Sequence, residues 1–210
     1  MITPTPDSII FDMDGTLWDA VDSYCAIWNA TSDSLGISRR VTRADLLDGM
    51  GQTLDRIINK VFGHDFSLRE PYLKALLKNE KEMTVKLGGR LYPGVAEGIA
   101  RLSENFRLLM VSNCGADGLK NFLAFTGLGP YMTDTLTNGE TGYDKAENIS
   151  LIIKRNNLRN AVYVGDTAHD CESAHRAGIP MVYAAYGFGE CHDADYTINS
   201  FPELLKLLNL

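Results

Sequence analysis

Two carboxylates stand two positions apart directly after a short apolar run, in the segment Asp12-Met13-Asp14-Gly15-Thr16. Side chains alternate in an extended chain, so Asp12 and Asp14 are expected on the same side, and Gly15 lets the backbone turn there. Such a pair either holds a divalent cation through hard oxygen ligands or divides into a nucleophile and an acid/base group. For an isolated pair, the alternative is a turn with solvated acids.

A second acidic cluster, Gly165-Asp166-Thr167-Ala168-His169-Asp170, follows another apolar run and begins a helical pattern. Asp166 alone is also explained as a helix cap. Asp170 lies about one helical turn further on, which allows it to face the same pocket. Four converging acids repel one another unless a cation neutralises them. Carboxylate and carbonyl oxygens favour Mg²⁺, so these residues predict a magnesium site.

Two other positions offer groups that recognise an anion. Ser112 and Asn113 follow an apolar run and can present a hydroxyl and backbone N–H groups, and Lys145 near the start of a helical pattern is a point charge for phosphate oxygens. Each has an ordinary alternative, since serine often follows a strand in a turn and lysine is usually solvated on a helix surface.

Alternating strand and helix patterns surround these residues. Apolar runs predict buried parallel strands at 8–11, 108–111, 161–164 and 181–184, and helical patterns cover 94–105, 118–125, 144–156 and 168–177. This alternation predicts an α/β fold, a three-layer Rossmann-like core whose parallel sheet is covered by helices on both faces. Ligands of such folds bind at the carboxyl ends of the strands, where the candidate residues stand.

The segment from residue 18 to residue 85 breaks the alternation. It contains no convincing strand pattern, and its apolar residues recur at helical spacing, as in Leu54, Ile57, Ile58 and Val61. We therefore expect residues 1–17 and 86–210 to form the α/β core and residues 18–85 to form a small all-α domain inserted after the first strand.

Composition limits the kinds of partner. The 210 residues are 45% hydrophobic and carry 20 Lys+Arg against 27 Asp+Glu, a formal charge of −7. This balance repels a nucleic-acid backbone, so no nucleic-acid partner is expected. The N-terminus has no signal-peptide or membrane-span pattern, and the four cysteines fit neither a disulfide framework nor a zinc site. The prediction is a cytoplasmic protein with no membrane association and with reduced thiols.

Together and in order, DMDGT at 12–16, VSN at 111–113, Lys145 and GDTAHD at 165–170 resemble the motifs of the haloacid dehalogenase superfamily. The match spans the whole core, and four ordered motifs are far more specific than any one of them. The resemblance implies the haloacid dehalogenase-like fold, and it implies that the helical insertion is the small cap of the phosphoglycolate-phosphatase-like and β-phosphoglucomutase-like branch.

The resemblance also implies a role for each residue. Asp12 would be the nucleophile that forms an aspartyl-phosphate, and Asp14 the general acid and later the base. Ser112 and Lys145 would hold the phosphoryl oxygens. The implied substrate-binding set is Gly15, Thr16, Ser112, Asn113 and Lys145, and the implied Mg²⁺ ligands are Asp12, Asp14 through its backbone carbonyl, Asp166 and Asp170. For Asp170 two roles stay open, a direct ligand or a group that orients a metal-bound water or Lys145.

The expected activity is Mg²⁺-dependent hydrolysis of a small phosphorylated metabolite, a phosphoglycolate-like or sugar phosphate monoester, by a monomer or homodimer. The acid at position 14 argues against a dehalogenase, because the carbon–halogen hydrolases of the superfamily lack it. Two alternatives remain: a phosphomutase of the β-phosphoglucomutase type and a non-catalytic binding protein. In the cap, the loop 49–52 either presents its glycines to the substrate or is a flexible connection between helices. Arg43 and Arg56 are candidate cations for a substrate carboxylate, but a solvated surface role is favoured for each.

Overall fold

A computed structural model describes residues 2–210, and its centre is a parallel sheet. The strands are β1 (Ser8–Phe11), β2 (Trp18–Asp19), β3 (Arg90–Leu91), β4 (Arg107–Ser112), β5 (Met132–Thr137), β6 (Ala161–Gly165), β7 (Met181–Ala184) and β8 (Tyr196–Ile198). Six of them form one sheet in the order β5-β4-β1-β6-β7-β8, and every neighbouring pair is parallel. The predicted parallel α/β architecture is therefore confirmed.

Helices account for most of the remaining chain. They are α1 (Val21–Ser34), α2 (Arg43–Leu47), α3 (Leu54–Phe62), α4 (Arg69–Leu87), α5 (Val95–Ser103), α6 (Gly118–Thr126), α7 (Asn138–Thr141), α8 (Lys145–Asn156), α9 (Ala168–Arg176) and α10 (Phe201–Leu207), with a 3₁₀ turn at Gly129–Tyr131. Within residues 2–210, no helix combines the length and apolar character that crossing a membrane requires.

The central strand β1 is buried on both faces of the sheet. Ile9 and Phe11 belong to one apolar cluster, together with residues of α5, α6 and α10, whereas Ile10 belongs to a second cluster with residues of α8 and α9. Successive residues of a strand point to opposite faces, so a run without polar residues needs helices on both sides. This requirement produces the three layers.

A separate short ladder joins the two ends of the helical insertion. Strands β2 and β3 pair antiparallel, with Trp18 opposite Leu91 and Asp19 opposite Arg90, and helices α1 to α4 lie between them. The sequence pattern did not indicate a strand at residues 18–19. Two residues are too few for an alternation to be recognised, and the pairing depends on a partner some seventy positions away.

The four helices of the insertion have an apolar cluster of their own. Trp28 of α1 and Tyr72 of α4 are buried in it, with ring centroids 5.7 Å apart, and the phenol of Tyr72 donates a hydrogen bond to the Trp28 carbonyl at 2.9 Å. These contacts hold α1 against α4. The division into a core and an insertion domain at residues 18 and 85 stays a prediction.

Strands β5 and β8 and helix α10 had no clear sequence signal. Strand β5 reads Met-Thr-Asp-Thr-Leu-Thr and lies at one edge of the sheet, where only its last two residues are fully buried. Strand β8 forms the opposite edge and has three residues. Edge strands are partly solvated, so they lack the continuous apolar run by which central strands are recognised.

The difference between centre and edge can be measured with a pair of variants. Ile10→Ala leaves a cavity in the fully buried central strand and is expected to lower the free energy of unfolding by about 2–5 kcal/mol. Thr133→Ala changes an exposed residue of the edge strand and is expected to stay within about 0.5 kcal/mol of the wild type. Urea unfolding followed by circular dichroism measures both, and equal losses would contradict the assignment of β1 as the centre of the core.

Candidate active site

The candidate residues converge because of the order of the strands. Strand β1 lies between β4 and β6, so Asp12, which follows β1, is flanked by Ser112 at the end of β4 and Asp166 just after β6. All three side chains are buried. Carboxyl ends of parallel strands meet at one edge of a sheet, and this edge carries the functional groups that the sequence predicted there.

Lys145 brings a buried positive charge to this edge. It is the first residue of α8, its side chain is 0% exposed, and its Nζ atom lies 2.6 Å from Asp170 Oδ1 and 3.1 Å from Asp12 Oδ1. Burial by itself would lower the pKa of Lys145, but the charges of Asp12 and Asp170 raise it well above its ordinary value. The ammonium group therefore keeps its proton at neutral pH.

Asp170 uses both of its carboxylate oxygens. Oδ1 pairs with Lys145, and Oδ2 accepts hydrogen bonds from the Thr167 hydroxyl at 2.6 Å, the Thr167 N–H at 3.0 Å and the Asp166 N–H at 3.2 Å. Thr167 and Asp170 form a capping box at the start of α9. Burial tends to raise the pKa of Asp170, but the bond to Lys145 and those from Thr167 hold it below its ordinary value.

Three carboxylates form a compact cluster around this lysine. One oxygen each from Asp12, Asp166 and Asp170 lie within 4.8 Å of one another, and Asp12 Oδ1 accepts no hydrogen bond despite its ion pair with Lys145. Burial raises the pKa of Asp12 to about 6, although the charge of Lys145 acts in the opposite direction. The pKa of Asp166 is raised well above its ordinary value by burial and by the charges of Asp170 and Asp12. Buried acids that outnumber the one lysine beside them, with a carboxylate oxygen that accepts no hydrogen bond, fit a hard divalent cation.

Asp166 accepts two hydrogen bonds and is closely packed against two glycines. Its oxygens accept hydrogen bonds from the Thr16 hydroxyl at 3.2 Å and the Phe188 N–H at 2.8 Å. Gly15 has φ of +80°, and a Cβ there would lie 2.0 Å from Asp166 Oδ2, while a Cβ on Gly187 would lie 2.3 Å from Asp166 Cβ. Gly15 and Thr16 thus position Asp166, and they are not among the residues that line the cavity described below.

Asp14 has contacts of its own, distinct from the carboxylate cluster. Its Oδ1 accepts hydrogen bonds from the Trp18 indole N–H at 2.9 Å and the Tyr24 hydroxyl at 3.0 Å. Burial raises its pKa to about 7, with a further increase from the charge of Asp12, although both hydrogen bonds act in the opposite direction. No sequence motif signals Trp18 or Tyr24, because both come close to Asp14 only in the folded chain.

Asn113 connects the core to the insertion. Its Nδ2 donates a hydrogen bond to the Gly51 carbonyl at 2.8 Å, while its Oδ1 is buried without a partner. A Cβ on Gly51 would lie 3.2 Å from the Thr167 hydroxyl, so the loop 49–52 lies directly over the site. The buried Ser112 hydroxyl accepts from the Cys114 N–H at 3.4 Å.

A cavity of about 250 Å³ opens between the strand ends and the insertion. Asp12, Asp14, Ser112, Asn113 and Lys145 line it from the core, whereas Tyr24, Trp28, Leu46, Met50, Gly51, Gln52, Leu54, Ile57, Leu77, Glu80, Lys81 and Thr84 line it from the insertion. The candidate cations Arg43 and Arg56 are not part of this lining. Arg43 forms ion pairs with Asp19 and Asp22, and Arg56 is exposed. No motif signalled Glu80, whose pKa is raised to about 8 by burial and by the charge of Asp14.

Comparison with known proteins agrees with this geometry. The family described as haloacid dehalogenase-like hydrolase matches residues 9–184, and the chain belongs to this family. A phosphoglycolate phosphatase from Aquifex aeolicus is 27% identical over 209 residues, covering 96% of each chain, and the pyrophosphatase PpaX from Listeria innocua is 26% identical over 213 residues, covering 96% of this chain and 95% of that protein.

The fold is shared with solved structures. The haloacid dehalogenase-like family protein SP0104 from Streptococcus pneumoniae has a TM-score of 0.84 at 20% identity, covering 97% of this chain and 98% of its own. Family and relatives together make the protein a phosphoric monoester hydrolase similar to the phosphoglycolate phosphatases. The family and the enzyme class predicted from the four motifs are thus confirmed.

The tight packing around Asp166 predicts a sharp effect at Gly15. Gly15→Ala forces a methyl group into the Asp166 carboxylate and is expected to lower phosphatase activity on the order of 10²-fold or more, because a displacement of about 1 Å at a reacting centre costs that much. Hydrolysis of an aryl phosphate measures the effect.

Gly178→Ala is the matched control. Gly178 has a similar φ of +77°, but a Cβ there meets no atom within 4 Å. That variant is expected to lose only about 1–2 kcal/mol of stability from the left-handed backbone and to keep its specific activity. If Gly15→Ala behaved like Gly178→Ala, the described contact with Asp166 would be wrong.

Proposed function

We propose that the protein is a Mg²⁺-dependent phosphatase that hydrolyses a small organic phosphate monoester through an aspartyl-phosphate. The observation that carries the proposal is the state of Asp12: a buried carboxylate with an oxygen that accepts no hydrogen bond, 3.1 Å from the ammonium group of Lys145. A carboxylate in this position is available as a nucleophile, and the lysine beside it attracts the dianion that it must attack.

The carboxylates of Asp12 and Asp166, with the Asp14 carbonyl, would hold the magnesium ion. When bound, Mg²⁺ supplies positive charge to the clustered carboxylates and to the phosphate oxygens. Asp170 belongs to the same cluster, but its Oδ1 is paired with the charge of Lys145 and its Oδ2 accepts three hydrogen bonds, whereas each Asp166 oxygen accepts a single neutral hydrogen bond. We assign Asp170 to the positioning of Lys145 rather than to direct ligation.

The first step transfers the phosphoryl group to the protein. An Asp12 carboxylate oxygen forms a bond to phosphorus, and the bond between phosphorus and the ester oxygen breaks with its electron pair remaining on that oxygen. Asp14 gives its carboxyl proton to the departing alcohol. The hydrogen bonds from Trp18 and Tyr24 fix the Asp14 carboxyl in one orientation for this transfer.

The second step releases phosphate. A water oxygen forms a bond to phosphorus, the bond between phosphorus and Asp12 breaks, and Asp14 takes the proton from the water. Both aspartates return to their starting states, so the cycle consumes one ester and one water and yields one alcohol and one phosphate. Ser112 and Lys145 hold the phosphoryl oxygens in both steps, the serine by its hydroxyl and the lysine by its charge.

The helices of the insertion would serve as a cap over the site. Residues of both parts line the cavity, and the Asn113–Gly51 hydrogen bond connects them. A cap in this place excludes water during the first step and contacts the leaving alcohol. Phosphoglycolate is a candidate that a relative suggests, and sugar phosphates are candidates from the resemblance of the sequence motifs. Four free cysteines are consistent with action in the reducing cytoplasm.

The aspartyl-phosphate can be trapped in a variant that forms it but does not hydrolyse it. Asp14→Asn cannot activate water, whereas an aryl phosphate has a leaving group that needs no proton. We expect a burst of one equivalent of phenol per enzyme, followed by turnover reduced about 10²–10⁴-fold. Intact-protein mass spectrometry should detect one added phosphoryl group.

Asp12→Asn is the control for the trapping experiment. It should show neither burst nor phosphorylation, with activity reduced on the order of 10³-fold or more. EDTA should abolish activity of the wild type, and added Mg²⁺ should restore it. Persistent activity in Asp12→Asn or in EDTA would contradict the mechanism.

The roles of Asp166 and Asp170 can be separated by Mg²⁺ titration. Asp166→Asn removes a ligand and is expected to raise the Mg²⁺ concentration for half-maximal activity about 10–100-fold. Asp170→Asn removes one of the two ion pairs of Lys145 and is expected to raise KM for the ester while the Mg²⁺ requirement changes less than about threefold. An equal shift of the Mg²⁺ requirement in both variants would make Asp170 a direct ligand.

A further inference from the structure

The cavity continues past the reacting groups into a region with a different character. A phosphoryl group beside Asp12 and Lys145 leaves the alcohol portion of the ester facing Asp14 and the insertion. Most of this region is apolar and is formed by Trp28, Leu46, Met50, Leu54, Ile57 and Leu77. An alcohol with an apolar body is therefore accommodated there by burial of its surface.

One carboxyl group in this region is not paired with any described residue. Glu80 of α4 is half-buried and lines the cavity, and its Oε2 lies 3.7 Å from the point that a Cβ on Gly115 would occupy. Across residues 2–210, no side chain or N–H donates a hydrogen bond to the Glu80 carboxyl and no cation lies within ion-pair distance. A partly desolvated carboxyl without a partner favours a ligand that brings one.

The two lysines near this region already form ion pairs with carboxylates of the protein. Lys81 lines the cavity, but its Nζ atom lies 3.3 Å from Asp117 Oδ2, and its side chain is 66% exposed. Lys145 is paired with Asp12 and Asp170 at the phosphoryl end. The alcohol portion of a substrate thus faces three acids, Asp14, Glu80 and Asp117, and one lysine that is bound to one of them.

We propose that Glu80 determines the substrate class: the alcohol released is uncharged or cationic and presents a hydroxyl or amino donor to Glu80, and esters of an anionic alcohol are disfavoured. This inference rests on the proposed phosphatase function and specifies the substrate for the same site. It predicts that phosphoglycolate, whose leaving group carries a carboxylate, is a poor substrate despite the similarity to phosphoglycolate phosphatases.

Four esters of two-carbon alcohols test the proposal. Phosphoglycolate, 2-hydroxyethyl phosphate, O-phosphoethanolamine and ethyl phosphate differ at the second carbon, which is a carboxylate carbon, carries a hydroxyl, carries an ammonium group or is a methyl group. At about pH 9, above the raised pKa of Glu80, the carboxyl is ionised, and we expect kcat/KM for the hydroxyl or ammonium ester to exceed that for phosphoglycolate about tenfold or more, and to exceed that for ethyl phosphate as well. The better of the two donors identifies the natural group.

Variants of Glu80 should change this ranking. Glu80→Gln is expected to reduce the ratio of ammonium ester to phosphoglycolate, and Glu80→Lys is expected to reverse it in favour of phosphoglycolate. Glu82→Gln makes the same chemical change on an exposed residue of the same helix, and its ratios should equal those of the wild type. Thermal unfolding and hydrolysis of an aryl phosphate check that each variant is folded and active.

Preference of the wild type for phosphoglycolate, or ratios that Glu80→Gln and Glu80→Lys leave unchanged, would overturn the proposal. If only the aryl phosphate is turned over, the inhibition constants of the four esters against it must show the same ranking, and any other ranking would also overturn the proposal. Absence of Mg²⁺-dependent aryl phosphate hydrolysis is a different failure, because it would overturn the proposed function itself and this inference with it.

Discussion

The buried lysine is the interaction on which the arrangement of the site depends. Removing a charged side chain from water costs several kcal/mol, and Lys145 is completely buried. Asp12 and Asp170 offset this cost by lying within 3.1 Å of its Nζ atom. The three residues come from the end of β1 and the starts of α8 and α9, so the charge balance fixes these elements relative to one another. Loss of any one partner leaves an uncompensated buried charge, which couples the integrity of the site to the stability of the core.

Much of the core could be predicted from the sequence because its signals are local. The run Ile9-Ile10-Phe11 predicts a buried strand from these residues alone. The acids that follow it lie at the carboxyl end of that strand, where ligands of parallel sheets bind. Asp166 and Lys145 were found in the same way, each at the end of a strand or the start of a helix. The parallel sheet, the family and the enzyme class followed from these positions.

What the sequence did not reveal depends on contacts made only in the folded state. Tyr24 and Trp18 belong to no motif, and their importance comes from hydrogen bonds to Asp14. Glu80 is one acid among several on a charged helix, and only the fold shows that it faces the cavity while Glu82 faces solvent. The polar edge strand Met132–Thr137 was not predicted for a related reason: it is a strand because it pairs with β4, and that pairing is not visible in its own sequence.

The pairing of β2 with β3 has a consequence for how this chain can change. Asp19 and Arg90 lie opposite each other, so the polypeptide leaves the core and returns to it at points about one strand spacing, roughly 5 Å, apart. None of the seventy intervening residues, 20–89, belongs to a strand of the six-stranded sheet, so the register of that sheet does not depend on pairing with them. The reacting groups follow strands of that sheet or begin its helices, whereas half of the residues that line the cavity belong to the insertion. Selectivity can therefore change through insertion residues while the reacting groups stay the same.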